Sequence, residues 1–474
     1  MPTQEQIVRS VVEQVLSEIV SGEPSSSNGH ADGGDWGVFA DAGAAVTAAK
    51  AAFAELSKRP LADREKVVQI VKTLCDEHAE EWGRKELDET KVGRLDHKVA
   101  KLHAISGVPG TEYLKTDARS SDEGICLTEY APFGVIAAIT PVTHSLPTLA
   151  CNVVNMVAAG NTLVCNPHPS GKRIACEGAQ AFNRAIHAAT GLKNLCCVIR
   201  EPTLETADAL FTHRDVRMIV VTGGPAVAKA ALATNKKAIV AGPGNPPVVV
   251  DETADLDVAA RSIVYGAAFD NNLLCIGEKE VFVVRDVFEP LMDAFSKHGA
   301  VRLSRQQVDT FTTHAFGPPK KPGGHAVLNR DLIGQDPAVL AKSIGLEVPA
   351  NTQLLVGEAT MDNPFVSEEQ MMPFVPVVSV VDAEGAMSAA VEMEHGYGHT
   401  AIIHSRRTDR ITEMGRRANT TLFVANGPST GALGDGGAGY LSFSIATPTG
   451  EGVTTPLTFT RQRQNVVCGS MRIV

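Results

Sequence analysis

Apolar residues along this chain follow two rhythms. Short, nearly uninterrupted apolar runs fall at residues 134–139, 162–165, 197–200, 217–221, 247–251 and 281–284. Runs of this length, rich in Val and Ile, predict strands buried on both faces, as parallel sheets require. Between them apolar positions recur at helical spacing: an alanine-rich stretch over 44–56, a charged amphipathic one over 64–89, then 150–159, 170–190 and 226–234. Gly160-Asn161 stops one helix, and Asn166-Pro167-His168-Pro169 breaks the strand before another. The alternation predicts an α/β fold built on parallel sheets.

The first residues stand apart. Ile7/Val8, Val11/Val12, Val15/Leu16 and Ile19/Val20 form one apolar stripe over residues 4–20, with Glu5, Arg9, Glu13 and Glu18 on the remaining arc. The stretch 23–35 that follows is rich in Ser and Gly and has linker composition. A helix this short is marginal alone, so residues 1–22 should dock through the stripe. The choices are their own domain, self-association, or a groove of another protein; the long linker favours the third.

Composition narrows the function. The 474 residues suffice for about two to three domains. A net charge of −11 argues against a nucleic-acid partner. No apolar run approaches the roughly 20 residues of a membrane span, so no membrane partner is expected. The amino terminus lacks the basic-then-apolar layout of a secretory signal. Nine cysteines show no paired CxxC spacing, and Cys196 and Cys197 are vicinal, which fits neither a disulfide framework nor a zinc site. A reducing, cytoplasmic compartment suits them.

Three local patterns carry candidate chemistry. Cys275 sits after a turn-like Asp270-Asn271-Asn272 and before the strand-like run 281–284. A thiol there, partly exposed and in electropositive surroundings, would serve as a nucleophile; the alternative is a small buried hydrophobe. The run 217–225 reads strand, Gly223-Gly224, helix start, which leaves backbone N–H groups for phosphate oxygens, although no GxGxxG fingerprint is present. The loop 241–246 (Ala-Gly-Pro-Gly-Asn-Pro) is rigid and lies at a strand mouth, where open α/β sheets place ligands. His395, His399 and His404 lack companion carboxylates or cysteines at ligand spacing and read as core histidines, so no metal site is expected.

In order and spacing these segments resemble the aldehyde dehydrogenase superfamily over roughly residues 36–470. Within it the chain looks most like the CoA-acylating aldehyde dehydrogenases of bacterial microcompartments. The motifs that carry the likeness are Thr140-Pro141-Val142-Thr143, Asn166-Pro167-His168-Pro169, Val221-Thr222-Gly223-Gly224-Pro225 and Gly242-Pro243-Gly244-Asn245-Pro246-Pro247. After Cys275 come Glu368-Glu369-Gln370-Met371-Met372-Pro373 and Ala446-Thr447-Pro448-Thr449-Gly450-Glu451-Gly452. The amphipathic segment and linker resemble an encapsulation peptide, which implies a shell or core protein of a microcompartment as partner through residues 4–20.

The resemblance implies an atypical Rossmann domain for NAD and CoA over 36–248, with an oligomerisation hairpin near 117–130. It implies a catalytic domain over 249–430 and a return to the first domain over 431–474, with an exchanged strand near 455–468 in a dimer or tetramer. Thr140, Pro141, Asn166, His168, Pro202, Gly223, Gly224, Ala241 and Gly242 should line the cofactor groove, and Glu369 should hold the nicotinamide ribose. Pro169 stands where NAD-preferring relatives often place a glutamate, so NAD rests on family analogy.

The implied chemistry starts with Cys275 attacking an aldehyde carbonyl; loss of hydride then leaves an acyl thioester on the sulfur. Hydrolytic members of the superfamily carry a glutamate base where this chain has Ala241, so water is poorly activated. The thiol of CoA is the better resolving nucleophile, and the expected product is acyl-CoA from a C2–C3 aldehyde in ping-pong order. The rivals are a hydrolytic enzyme and a non-catalytic scaffold component. Two positions depart from the relatives: His144 replaces the asparagine that donates to the oxyanion, with Thr143 or a backbone group as alternative donor, and Leu274 replaces a common proline.

Overall fold

The structure, a computed structural model, describes residues 35–319 and 326–473. The docking helix expected over 1–22 and all of its linker but Asp35 lie outside the described residues. The chain divides into two compact units.

The first unit comprises the described chain to Thr90, Val99–Ala241, and the chain from Leu441. Its six-stranded parallel sheet contains β1 (Val38–Phe39), β2 (Val135–Thr140), β3 (Thr162–Pro167), β4 (Cys196–Ile199), β5 (Val216–Thr222) and β6 (Lys237–Ala241). The order is β1-β4-β3-β2-β5-β6. Every residue of β2 and β3 is buried, as their uninterrupted apolar patterns require. The chain winds outward from β2 through β3 and β4, then returns to the other side of β2 with β5. That reversal makes a switch point between the carboxyl ends of β2 and β5.

Helix α1 (Ala42–Leu56) begins at Asp41, whose side chain accepts the Ala44 N–H at 2.7 Å. Its small Ala45, Ala49 and Ala52 let it lie close on the sheet. The single charged helix expected over 64–89 is two, α2 (Leu61–Glu77) and α3 (Ala79–Thr90), because the backbone leaves helical geometry at His78. Helix α4 (Ser145–Ala158) starts five residues earlier than the apolar pattern suggested. Its first N–H groups, at Ser145 and Leu146, are satisfied by the two oxygens of Glu86 on α3, at 3.0 and 3.4 Å. One turn along α3, Glu89 does the same for Arg173 and Ile174 of α5 (Lys172–Thr190), at 2.9 Å each. Asp117–Ser121 and Gly124–Pro132 form an antiparallel hairpin, and Thr460–Cys468 adds a third strand to it.

The second unit comprises Lys91–Lys98 and Gly242–Tyr440. Its seven-stranded parallel sheet contains β7 (Pro247–Val250), β8 (Glu280–Val284), β9 (Ala300–Leu303), β10 (Leu354–Glu358), β11 (Phe374–Val380), β12 (Thr400–His404) and β13 (Leu422–Ala425). The order is β9-β10-β11-β8-β7-β12-β13.

The boundaries between units differ from those expected at 248/249 and 430/431. The first moves to 241/242, because β6, masked in sequence by Lys236-Lys237, completes the first sheet while β7 pairs with β8 and β12 of the second. The second moves to 440/441, because Ser429 and Asp435 bond to Glu278 and Tyr265 of the second unit. Residues 91–98 belong to the second unit through Arg94, whose N–H donates to Asp270 at 2.9 Å.

Candidate active site

In the first unit the residues expected to bind cofactor gather along the carboxyl edge of the sheet. Thr140 ends β2 and Pro141 follows it; Asn166 ends β3 and His168 follows; Pro202 follows β4; Gly223 and Gly224 follow β5; Ala241 ends β6. This is the edge, and the switch point, at which open α/β sheets bind ligands. Helix α6 (Pro225–Leu232) starts there with Gly224 at its N-cap, no side-chain cap and no acidic residue in its first turn. A methyl group built on Gly224 would meet nothing within 4 Å. The N-termini of α4 and α5 are occupied by Glu86 and Glu89, whereas that of α6 is open, which suits an anionic diphosphate. The edge therefore fits a dinucleotide.

Two polar members of this edge are already engaged. The Asn166 amide accepts from Thr206 Oγ1 at 2.6 Å and donates to the Thr203 carbonyl at 3.4 Å, holding the loop after β4. Thr140 is buried with its hydroxyl 3.7 Å from Cys165 Sγ. His144 is the buried N-cap of α4, with its ring centroid 5.4 Å from that of Phe443. The Thr143 carbonyl accepts from Lys101 Nζ at 3.3 Å.

In the second unit the nucleophile segment is built on an unusual backbone. Asp270, Asn271 and Asn272 all adopt left-handed conformations, with φ of 49°, 54° and 63°. Asp and Asn tolerate this region better than other side chains, and here each is held. Asp270 Oδ1 accepts from Arg94 N, and its own N–H donates to His97 Nδ1 at 2.8 Å. Asn271 Nδ2 donates to the Gly334 carbonyl and to Asp336 Oδ1, at 2.9 and 2.8 Å. Asn272 Nδ2 donates to the Glu278 carbonyl at 2.9 Å, closing a loop around Cys275.

Cys275 is half-buried. Burial and the Glu369 carboxylate push its thiol up to about 12, while Lys279 and the backbone N–H groups of Cys275 and Ile276 pull the other way. Gly244 is the meeting point of the site. A methyl group there would stand 2.5 Å from the Cys275 carbonyl oxygen and 3.1 Å from His399 Cγ, and the Gly244 N–H donates to Glu369 Oε1 at 3.4 Å. Burial holds the Glu369 carboxyl above its usual range. The structure thus brings together Cys275, Glu369 and the loop that begins at Gly242.

His399 is a member that sequence reasoning assigned to the core. It is fully buried, its Nδ1 lies 2.8 Å from Thr400 Oγ1, and its Nε2 has no hydrogen-bond partner among the described residues. Burial, with Lys279 adding to it, lowers its pKa to about 4, so the ring is neutral. Only its place beside Gly244, not its spacing, reveals it. Lys279 was likewise missed: it lies in the segment between Cys275 and the strand-like run 281–284, where no role was read for it.

The Aldehyde dehydrogenase family model matches residues 37–316. The acetylating acetaldehyde dehydrogenase of Salmonella typhimurium is 41% identical over 472 residues, covering 99% of this chain and 100% of that protein. A propionaldehyde dehydrogenase from the fucose-utilisation microcompartment of Clostridium phytofermentans superposes with a TM-score of 0.89 at 40% identity, covering 93% of this chain and 100% of that one. The propionaldehyde dehydrogenase of Rhodopseudomonas palustris, solved with bound CoA and an acylated cysteine, gives the same TM-score, identity and coverage. With an open dinucleotide edge in one unit and a cysteine held beside a glutamate and a neutral histidine in the other, the chain belongs to the aldehyde dehydrogenase family.

Proposed function

We propose that this protein oxidises a C2–C3 aldehyde to its acyl-CoA, using NAD and CoA, with Cys275 as nucleophile. The observation that carries the reading is the grouping of Cys275 and Glu369 around Gly244, on a loop that has Ala241 where a hydrolytic enzyme needs its base. The acetylating and propionaldehyde relatives support acyl-CoA as the product.

Cys275, once its thiol proton has passed to solvent, attacks the aldehyde carbonyl through Sγ, and its backbone N–H is the proposed donor to the alkoxide that forms. NAD, when bound, supplies the hydride acceptor. Thr140, Pro141, His168, Pro202, Gly223 and Gly224 would hold it along the first sheet's carboxyl edge, and Glu369 would take the ribose. What remains on Cys275 is an acyl thioester. No carboxylate at Ala241 activates water against it, so the CoA thiol resolves it, and neutral His399 has one unpaired nitrogen to take that thiol's proton. His144 is the side chain proposed as a further oxyanion donor.

Residues 4–20 are proposed to dock on a shell or core protein of a bacterial microcompartment, a reading supported by the apolar stripe and by the microcompartment source of one relative. The three-stranded sheet of 117–132 and Thr460–Cys468 is the proposed homo-oligomer surface. It carries Val466 and Val467 at least half exposed, a sheet edge that is a liability unless covered.

The test is NADH formation from propionaldehyde and NAD, with and without CoA, in the unmodified protein and in Cys275→Ala. Turnover that requires CoA and vanishes in the variant is expected. Sustained turnover without CoA, yielding propionate, would replace this reading with the hydrolytic one.

A further inference from the structure

Lys279 is a fully buried lysine four residues beyond the nucleophile. A buried ammonium is costly unless its protons are satisfied, and here every bonded acceptor belongs to the loop that carries Cys275. Nζ donates to the Asn272 carbonyl at 2.9 Å, to Asn272 Oδ1, and to the Leu274 carbonyl at 3.4 Å. Its own backbone N–H is fixed by the Pro246 carbonyl at 3.1 Å, so the side chain leaves the amino end of β8 from a rigid base.

The Leu274 carbonyl and the Cys275 N–H are the two ends of one peptide unit. A cation on that carbonyl draws electron density from the unit and makes the Cys275 N–H a stronger donor. That N–H is one of the groups that favour the ionised form of the Cys275 thiol. The Asn272 bonds hold the last left-handed residue before the cysteine, and so fix the direction in which the thiol emerges.

We propose that Lys279 is the positioning residue of the nucleophile, acting through the Leu274–Cys275 peptide and as the resident cation that favours the thiolate. The inference rests on Cys275 being the nucleophile of the proposed reaction, and it assigns a role to a residue that does not touch the substrate.

The charged and titratable groups around Lys279 are known. Glu278 and Glu280 flank it in sequence, Glu369 reaches it from the loop before β11, His399 from the loop before β12, and Cys275 from its own segment. Desolvation lowers the lysine to about 8, while Glu369, Cys275, Glu280 and Glu278 support its charge. It is therefore largely charged near neutral pH, and the cation would be lost as pH rises through about 8.

The test reads the thiol directly, without aldehyde, NAD or CoA. Full-length protein is alkylated with iodoacetamide between pH 6 and 10, and the Cys275 peptide is followed by mass spectrometry, which separates it from the other eight cysteines. Lys279→Gln keeps an amide donor for the Asn272 and Leu274 carbonyls but removes the charge. The expected result is alkylation at pH 7 slowed about tenfold or more, the size of effect that losing a neighbouring opposite charge has on an ionising group. Lys279→Met, which removes the bonds as well, should slow it further. Unchanged alkylation in a Lys279→Gln protein with native circular dichroism would overturn the proposal, leaving Lys279 a space-filling residue. If Lys279→Gln does not fold, Lys279→Arg, which retains the charge, carries the test: near-normal alkylation is expected, and a loss of tenfold or more in the folded protein would overturn the role of charge. Because no turnover is measured, slowed alkylation would stand even if CoA-dependent NADH formation were not found.

Discussion

At the scale of single residues, the site is a place where ordinary ionisation is displaced in both directions. Cys275 is pushed up to about 12, His399 is lowered to about 4, and Glu278, three residues past the nucleophile, is pushed up to about 7 by burial. The Glu278 carboxylate accepts the Ser429 N–H and hydroxyl at 2.8 and 2.9 Å, and both its oxygens press on Gly266, where a methyl group would stand 2.1 Å away. A carboxyl with a folded pKa above its unfolded value favours folding while it stays protonated. Its contribution is present below about 4.5 and is lost as pH rises through about 7. Glu278→Gln is neutral throughout, so thermal melts should show its stability relative to the unmodified protein rising by a few degrees between pH 5 and 8. Equal differences at both pH values would remove the titration from the account. Gly244→Ala is the sharper probe of geometry. Its methyl group would collide with the Cys275 carbonyl, so kcat/KM should fall about a hundredfold while circular dichroism stays native.

At the scale of elements, the apolar runs of β2, β3, β5, β7 and β8 were legible because strands buried on both faces need no partner to explain their composition. The start of α4 was not. Its N-cap comes from Glu86, 59 residues earlier in the chain, and His144 gives no side-chain cap, so no local signal marks Ser145. Removing that carboxylate with Glu86→Ala leaves two buried N–H groups unsatisfied. It should cost about 1–3 kcal/mol, read as a lower midpoint in urea unfolding. Asp270-Asn271-Asn272 was read as a turn from its composition, but three consecutive left-handed residues are set by the tertiary bonds that hold them. Asn271→Val, with a β-branched side chain at φ of 54°, should destabilise the second unit by about 2 kcal/mol or more, whereas Asn271→Gly should keep the backbone and lose only the side-chain bonds.

At the scale of the whole molecule, the two sheets use opposite ends. The first presents its expected cofactor residues at the carboxyl ends of its strands, in line with the rule for open α/β sheets. The second gathers Gly244, Cys275, Glu369 and His399 in the segments that precede β7, β8, β11 and β12, at the amino ends. The sequence placed the loop 241–246 at a strand mouth but could not say that it leaves one sheet and enters another. Nor could it join Gly244 to Glu369 or His399, 125 and 155 residues further on. Such a grouping is a property of the strand order, which no local pattern encodes. The family motifs made Cys275 and Glu369 legible as single residues; their shared contact at Gly244 was not.

The central claim is that Cys275 holds an acyl group which CoA removes and water does not. The most direct measurement is intact-protein and peptide mass spectrometry after mixing the protein with propionaldehyde and NAD in the absence of CoA, followed by addition of CoA. The account predicts a propionyl group confined to the Cys275 peptide, persisting until CoA discharges it as propionyl-CoA. A group found on another residue, or rapid loss to propionate before CoA is added, would contradict it.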